Sequence, residues 1–241
     1  MIQSKLDQVL VNSPAIEIDA SFKGLFISDL HMGIGDEADD FKANADLCLD
    51  VLEEHWSKGY RIFLLGDGYE LWENSNIDEI VKTYPAICDL LSRGADRISG
   101  NHDQQLILPR SQILYNKISR KQILLVHGHQ GDFFCDEGYP FGEFISRYIW
   151  RNLQMIGFKD PTTAQKDKNP KKHEATREAF HDWAWSRKQT VIFGHIHLAE
   201  ADPPYYWNCG SWVGDGGQAV EITGNQISLK TFSIKKGVAL F

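Results

Sequence analysis

With 241 residues, 42% of them hydrophobic and 24% charged, the chain is long enough to bury a sizeable core as a single domain. A formal charge of −8 is not the basic footprint of a general nucleic-acid binder, so no nucleic-acid partner is expected. No apolar run approaches the roughly 18 residues of a membrane span and the N-terminus carries no signal pattern, so the expectation is a soluble, cytoplasmic protein.

The chain opens with a short amphipathic piece carrying Leu6, Val9 and Leu10, followed by Pro14 and a predicted edge strand over Ile16 to Ile18. The first core strand is predicted at 23–28. Apolar positions at Phe41, Ala45, Cys48, Leu52 and Trp56 trace one helical face over 39–57, stopped by Gly59. Arg61 to Leu65 reads as a buried strand. Asn76 with Glu79 resembles a capping box, opening a helix with Ile77, Ile80, Val81 and Tyr84 inward, and Pro85 kinks or splits that helix. Strand, helix, strand, helix, strand is the rhythm of a buried parallel sheet.

From about 112 the rhythm turns to strands: 113–118, 122–126, 205–209, 218–223 and 226–233. Gly224-Asn225 joins the last two as a hairpin turn. An α/β first half with a β-rich second half predicts two packed sheets with helices outside. The four cysteines (Cys48, Cys88, Cys135 and Cys209) form no CxxC pair and read as reduced, packed thiols.

The chemistry lies at the strand ends. Leu25-Phe-Ile-Ser-Asp29-Leu-His31 is an apolar run closed by a carboxylate and an imidazole two residues apart, on one side of an extended chain. The same pattern recurs at Phe63 to Asp67, at Ile98 to Asn101-His102-Asp103, at Leu124 to His127-Gly-His129, and at Val191 to His195-Ile-His197. Six of the nine histidines fall in these motifs. Carboxylate, carboxamide and imidazole without thiolate suit a divalent ion such as manganese, iron or zinc. The donors outnumber what one ion needs, so two ions are expected, manganese the first choice. Asp67 is the natural bridge, because a carboxylate has two oxygens.

Asp29-Leu-His31, Gly66-Asp67, Gly100-Asn101-His102-Asp103, His127-Gly-His129 and Gly194-His195-Ile-His197 resemble the five ordered motifs of the calcineurin-like metallophosphoesterases. That resemblance implies a four-layer αββα sandwich of two mixed sheets, with a two-metal centre at the strand ends. It implies that Asp29, His31, Asp67 and His197 hold one ion, and that Asp67, Asn101, His127 and His195 hold the other. It further implies that His102 protonates the leaving group and that Asp103 orients His102. The activity implied is hydrolysis of a phosphate ester or pyrophosphate by a metal-bound hydroxide.

Gly66-Asp67-Gly-Tyr-Glu70-Leu-Trp72 and Asn208-Cys-Gly-Ser211-Trp212 look most like the UDP-2,3-diacylglucosamine pyrophosphatase branch. That branch carries Gly-Asn-Arg-Asp where this chain has His102, a general acid in place of a fixed cation. The substrate implied is a phosphorylated small molecule or amphiphile, such as a lipid-linked nucleotide sugar. A cyclic nucleotide or other small phosphodiester is the alternative substrate, and a non-catalytic interaction module on the same fold is the alternative from another class.

Within the single domain, 1–241, the interval from His127 to His195 is long for a crossover. Residues 133–188 are therefore expected to form a helical cap over the centre. Arg147 and Arg151, one helical turn apart, would meet phosphates or a membrane surface there, and His129 would face the substrate or serve a structural role. The alternative is a helix pair packed on the sheet with a solvated lysine loop between. Oligomeric state leaves no trace in the sequence.

Overall fold

Leu25, Phe26 and Ile27 explain the layering. Successive side chains of a strand point to opposite faces, so an uninterrupted apolar run belongs to a sheet covered on both sides. The computed structural model describes residues 2–130 and 170–233.

Helix α1 (Ile2–Asn12) leads into strand β1 (Ala15–Ile18) and then β2 (Lys23–Ile27). After a 3-10 turn at Lys42–Asn44 come α2 (Ala45–Ser57), β3 (Arg61–Leu65), α3 (Ile77–Thr83), α4 (Pro85–Gly94) and β4 (Ala95–Ile98). Then follow β5 (Ser111–Asn116), β6 (Gln122–Val126), α5 (Pro170–Arg187) and β7 (Thr190–Phe193). The chain continues through β8 (Glu200–Asp202), β9 (Tyr206–Asn208), β10 (Gly217–Thr223) and β11 (Gln226–Phe232).

The strands form two mixed sheets. One has five strands in the order β11-β10-β2-β3-β4, the other six in the order β1-β5-β6-β7-β9-β8. In the first, β2, β3 and β4 run parallel; in the second, β6, β7 and β9 do. Phe26, Phe63, Leu65, Leu114, Leu125, Ile192 and Trp207 fill the space between the sheets, with Phe26 stacked on Phe63 at 4.7 Å. Outside the five-stranded sheet, Leu25, Ile27, Ile62 and Leu64 pack with Cys48 and Leu52 of α2 and Ile87 and Leu91 of α4. Outside the six-stranded sheet, Leu124, Val126, Val191 and Phe193 pack with Leu6 of α1 and with Phe180, Trp183 and Ala184 of α5. The order is helices, sheet, sheet, helices: the expected αββα sandwich.

Three local expectations are corrected. Helix α2 starts at Ala45 rather than 39, and its phase turns His55 inward, where its Nδ1 donates to the Val51 carbonyl at 2.7 Å; Trp56 stays 49% exposed. Val81 is 39% exposed, whereas Ile80 and Tyr84 are buried and Ile77 packs against the same core. Helix α5 lies within the stretch expected as a cap, yet Phe180 stacks on Phe193 at 4.4 Å and the Trp183 Nε1–H donates to Asp7 at 2.9 Å. Burying a side chain such as Phe180 is worth about 1.5–3 kcal/mol, so this apolar face is committed to the sheet. The rest of the expected cap, with Arg147 and Arg151, lies outside the described residues.

The split of α3 from α4 at Pro85 follows from its missing N–H, which suits the first turn of α4. The Gly224-Asn225 hairpin is present, with Thr223 paired to Gln226. Cys48, Cys88 and Cys209 are buried free thiols. Among the described residues no helix is long and apolar enough to cross a membrane.

Candidate metal centre

Parallel strands place their C-terminal ends on one side, and in open α/β sheets ligands bind outside those ends. Here the ends of β2, β3 and β4 in one sheet meet those of β6 and β7 in the other. Each strand is followed at once by a turn that carries donors. Among the described residues seven non-glycine side chains sit at positive φ, and five of them are Asp29 (56°), His31 (49°), Asp67 (50°), His195 (68°) and His197 (52°). Each costs about 1–3 kcal/mol, and such strain gathers where function requires it. The motif glycines are steric necessities. A Cβ on Gly100 would lie 2.0 Å from Asp67 Oδ1, and one on Gly194 would lie 2.3 Å from Asp29 Oδ2.

Three groups of donors result, each with its ligand atoms within 4.8 Å of one another: Asp29, His31 and His197; Asp67, His127 and His195; and His31, Asp67 and His102. Asp67 joins them. Its Oδ2 lies 3.1 Å from His127 Nε2 and 3.8 Å from His31 Nε2. Its Oδ1 accepts the His102 backbone N–H at 2.8 Å. Asn101 completes the second group, its carboxamide oxygen 3.2 Å from His127 Nε2.

Tautomers decide what these atoms can do. His127 Nδ1 is 2.8 Å from the Leu65 carbonyl, which only accepts, so Nδ1 carries hydrogen and the neutral ring turns the lone pair of Nε2 toward Asp67 and Asn101. His31 Nδ1 meets Glu70 Oε2 at 2.6 Å, so its Nε2 lone pair faces His197 Nε2, 3.1 Å away. Asp29 Oδ1 is buried without a hydrogen bond, 3.1 Å from His197 Nε2, while Oδ2 accepts the His195 N–H at 2.9 Å. His31 Nε2, His127 Nε2 and the carboxylate oxygens of Asp29 and Asp67 thus converge as acceptors that a cation or a proton among them would satisfy. A metal-ligating histidine typically donates its other N–H to a carboxylate or carbonyl, as both rings do here. These buried Asp and His clusters could hold a metal ion, and oxygen plus imidazole donors fit a manganese-, iron- or zinc-type ion.

The electrostatics respond to the same crowding. Burial alone would raise the Asp29 carboxyl, but His197 and His127 outweigh it and hold it well below the usual range. Asp67 is likewise lowered, burial being outweighed by His127, His102 and His31. Burial pushes the His127 ring down, yet Asp67 and Asp29 lift it to about 9.

Around His102 the expected partner is corrected. Asp103 does not orient it. Both Asp103 oxygens accept backbone N–H groups, Oδ1 from Gly100 at 2.7 Å and Oδ2 from Gly68 at 2.8 Å, tying the β4 loop to the β3 loop. Burial, with Asp67 nearby, raises Asp103 to about 6. Glu70 holds His102 instead, its Oε1 2.7 Å from His102 Nδ1 while its Oε2 holds His31. Although burial opposes it, the two histidines bring Glu70 down to about 2. Trp72 stacks on the His102 ring at 4.1 Å and 21°. Glu70 was visible only as part of the segment that ends in Trp72, with no role attached; its spacing of three after Asp67 is the signal that was available.

His129 is fully buried, 5.4 Å from the His127 ring, and its Nε2 accepts from Arg110 Nη2 at 2.9 Å. Burial and the neighbouring cations hold it well below the usual imidazole range. His173, in α5, brings its ring to 6.3 Å from His195. The Asn208 to Trp212 motif is scaffold: Asn208 Nδ2 donates to the Gly194 carbonyl at 2.7 Å, and the Trp212 N–H donates to the Asp29 carbonyl at 3.0 Å. No protein-family model matches this chain, and no curated protein matches it either.

Proposed function

We propose that this chain is a phosphoesterase that depends on two divalent metal ions, manganese first among them. The observation that carries the reading is Asp67, one buried carboxylate oxygen facing His127 on one side and His31 on the other. Bound there, two ions would polarise a phosphoryl group and supply hydroxide at neutral pH.

The chain's own residues do the rest. Asp29, His31, His197 and Asp67 would hold the first ion, and Asp67, Asn101, His127 and His195 the second. Glu70 and the Leu65 carbonyl keep the ligand tautomers correct by taking the outward N–H of His31 and of His127. His102 stands beside the first position, a ring nitrogen within 4.8 Å of donor atoms of His31 and Asp67, and delivers a proton to the departing oxygen. A chain built only for binding has no need of that group, which disfavours the non-catalytic reading.

The test is metal content together with turnover. Purified protein should bind manganese and hydrolyse p-nitrophenyl phosphate or bis(p-nitrophenyl) phosphate, and Asp67→Ala should lose both properties. Full activity in excess chelator would overturn the proposal.

A further inference from the structure

We infer that His129 binds the phosphoryl group itself, its Nδ1–H donating to a non-bridging phosphoryl oxygen beside the second metal position, with Arg110 as the residue that positions the ring. The inference rests on the phosphoesterase reading above. The observation is a buried donor that has nothing to donate to. His129 is fully buried, and its Nδ1 meets no hydrogen-bond partner. Its Nε2 lies 2.9 Å from Arg110 Nη2. A guanidinium only donates, so Nε2 offers its lone pair and the hydrogen of the neutral ring is on Nδ1.

A neutral imidazole ligates a metal through a lone pair, and Arg110 takes the one that His129 has. The ring is thereby a donor and not a further ligand, although it stands among the ligands of the second position. It lies 5.4 Å from the His127 ring and 6.4 Å from that of His195. Buried N–H groups are rarely left without an acceptor, and the protein supplies none here. The start of α5 approaches the same His195 ring through His173, 6.3 Å away, and a helix N-terminus favours negative charge. An anionic oxygen is therefore the acceptor that fits, and a phosphoryl group at the second position brings one. The pairing with Arg110 is braced. The Arg110 carbonyl accepts from Gln130 Nε2 at 3.4 Å, and Gln130 Oε1 accepts the Gly128 N–H at 3.0 Å. One glutamine side chain thus ties the segment that carries Arg110 to the segment that carries His129.

Inorganic phosphate, titrated calorimetrically into the manganese-loaded protein, tests this apart from turnover. His129→Ala should weaken phosphate binding about 10–100-fold, the worth of a hydrogen bond to a charged oxygen, with both manganese equivalents retained. His129→Asn puts an amide N–H where Nδ1–H stood and should restore most of the affinity. His129→Gln puts its amide where Nε2 stood and should not. Arg110→Met should weaken phosphate binding in the parent and add nothing on the His129→Ala background. Unchanged phosphate affinity in His129→Ala, or equal affinities in the Asn and Gln variants, would overturn the inference while leaving the phosphoesterase reading intact; the Asn and Gln pair decides alone if His129→Ala does not fold. Loss of a manganese equivalent from His129→Ala would make His129 a ligand and overturn it as well. A further loss from Arg110→Met on that background would overturn the positioning role of Arg110. No manganese-dependent turnover of p-nitrophenyl phosphate by the parent would overturn the underlying reading, and the inference with it.

Discussion

His31 Nε2 and His197 Nε2 stand 3.1 Å apart, one carried at the end of a strand in the five-stranded sheet and the other at the end of a strand in the six-stranded sheet. The pair is the seam of the sandwich, and it places two imidazole nitrogens closer together than neutral rings tolerate without a shared cation or proton. The same tension governs how the centre should respond to pH.

His127 gives that response a sign. Its ring is lifted from 6.5 to about 9 although burial opposes the charge, because Asp67 and Asp29 outweigh burial. A folded-state value above the unfolded one stabilises the metal-free protein fully below about 6.5, and this contribution is lost as pH rises through about 9. The thermal midpoint of the metal-free protein should therefore fall across that window, and His127→Gln should flatten the fall. Because a metal must displace the same proton, manganese binding should weaken as pH drops and release protons near neutrality. Calorimetry in buffers of different ionisation enthalpy checks this; a binding heat independent of buffer would contradict it.

Gly100→Ala should damage the centre without touching a ligand. The added methyl would lie 2.0 Å from Asp67 Oδ1 and 2.5 Å from its backbone nitrogen, so Asp67 must move. Overpacking of this kind costs about 1–3 kcal/mol. The expected result is a lowered thermal midpoint together with loss of bound manganese, read by elemental analysis.

Glu70→Ala separates support from ligation. Removing the carboxylate frees Nδ1 of both His31 and His102, which Glu70 holds at 2.6 and 2.7 Å. Loss of such an outer partner typically costs about 10–100-fold in metal affinity. The weakening should fall on one of two manganese equivalents in a chelator competition, the one held by His31. Equal weakening of both would mean that Glu70 supports the whole fold of the centre.

Phe180→Ala tests whether α5 is a layer of the sandwich. Phe180 is completely buried and stacks on Phe193 of the sheet. A core substitution of this type costs about 3–5 kcal/mol. Chemical denaturation should show that loss; a midpoint within a few tenths of a molar of the parent would argue that the helix lies outside the core.

How much of this was legible in the sequence follows from how local each feature is. Donors at strand ends could be read because an apolar run, a sharp turn and a polar side chain are consecutive in the chain. Asp29 with His31, and His195 with His197, carry their own i, i+2 geometry. The two-sheet, four-layer architecture was legible for the same reason, since a run such as Ile62 to Leu65 must be covered on both faces. The phase of α2 was less legible: a helix starting a few residues later turns His55 inward and Trp56 outward with nearly the same apolar pattern.

The sequence by itself determined which chemical groups are present, the strand ends that carry them, and the class of sheet that gathers them. Only the tertiary structure decided partners. Asp103 follows His102 directly in the chain, yet its oxygens are spent on the amides of Gly68 and Gly100, and Glu70, from another loop, takes the imidazole. Helix α5 has an apolar stripe that would suit a lid or a layer equally well, and the sheet beneath it made it a layer. The reason is the same in both cases. Periodicity and residue type specify a side chain's direction along its own element, whereas a hydrogen bond or a packed ring also depends on where a second element comes to rest, and that is set by the core as a whole.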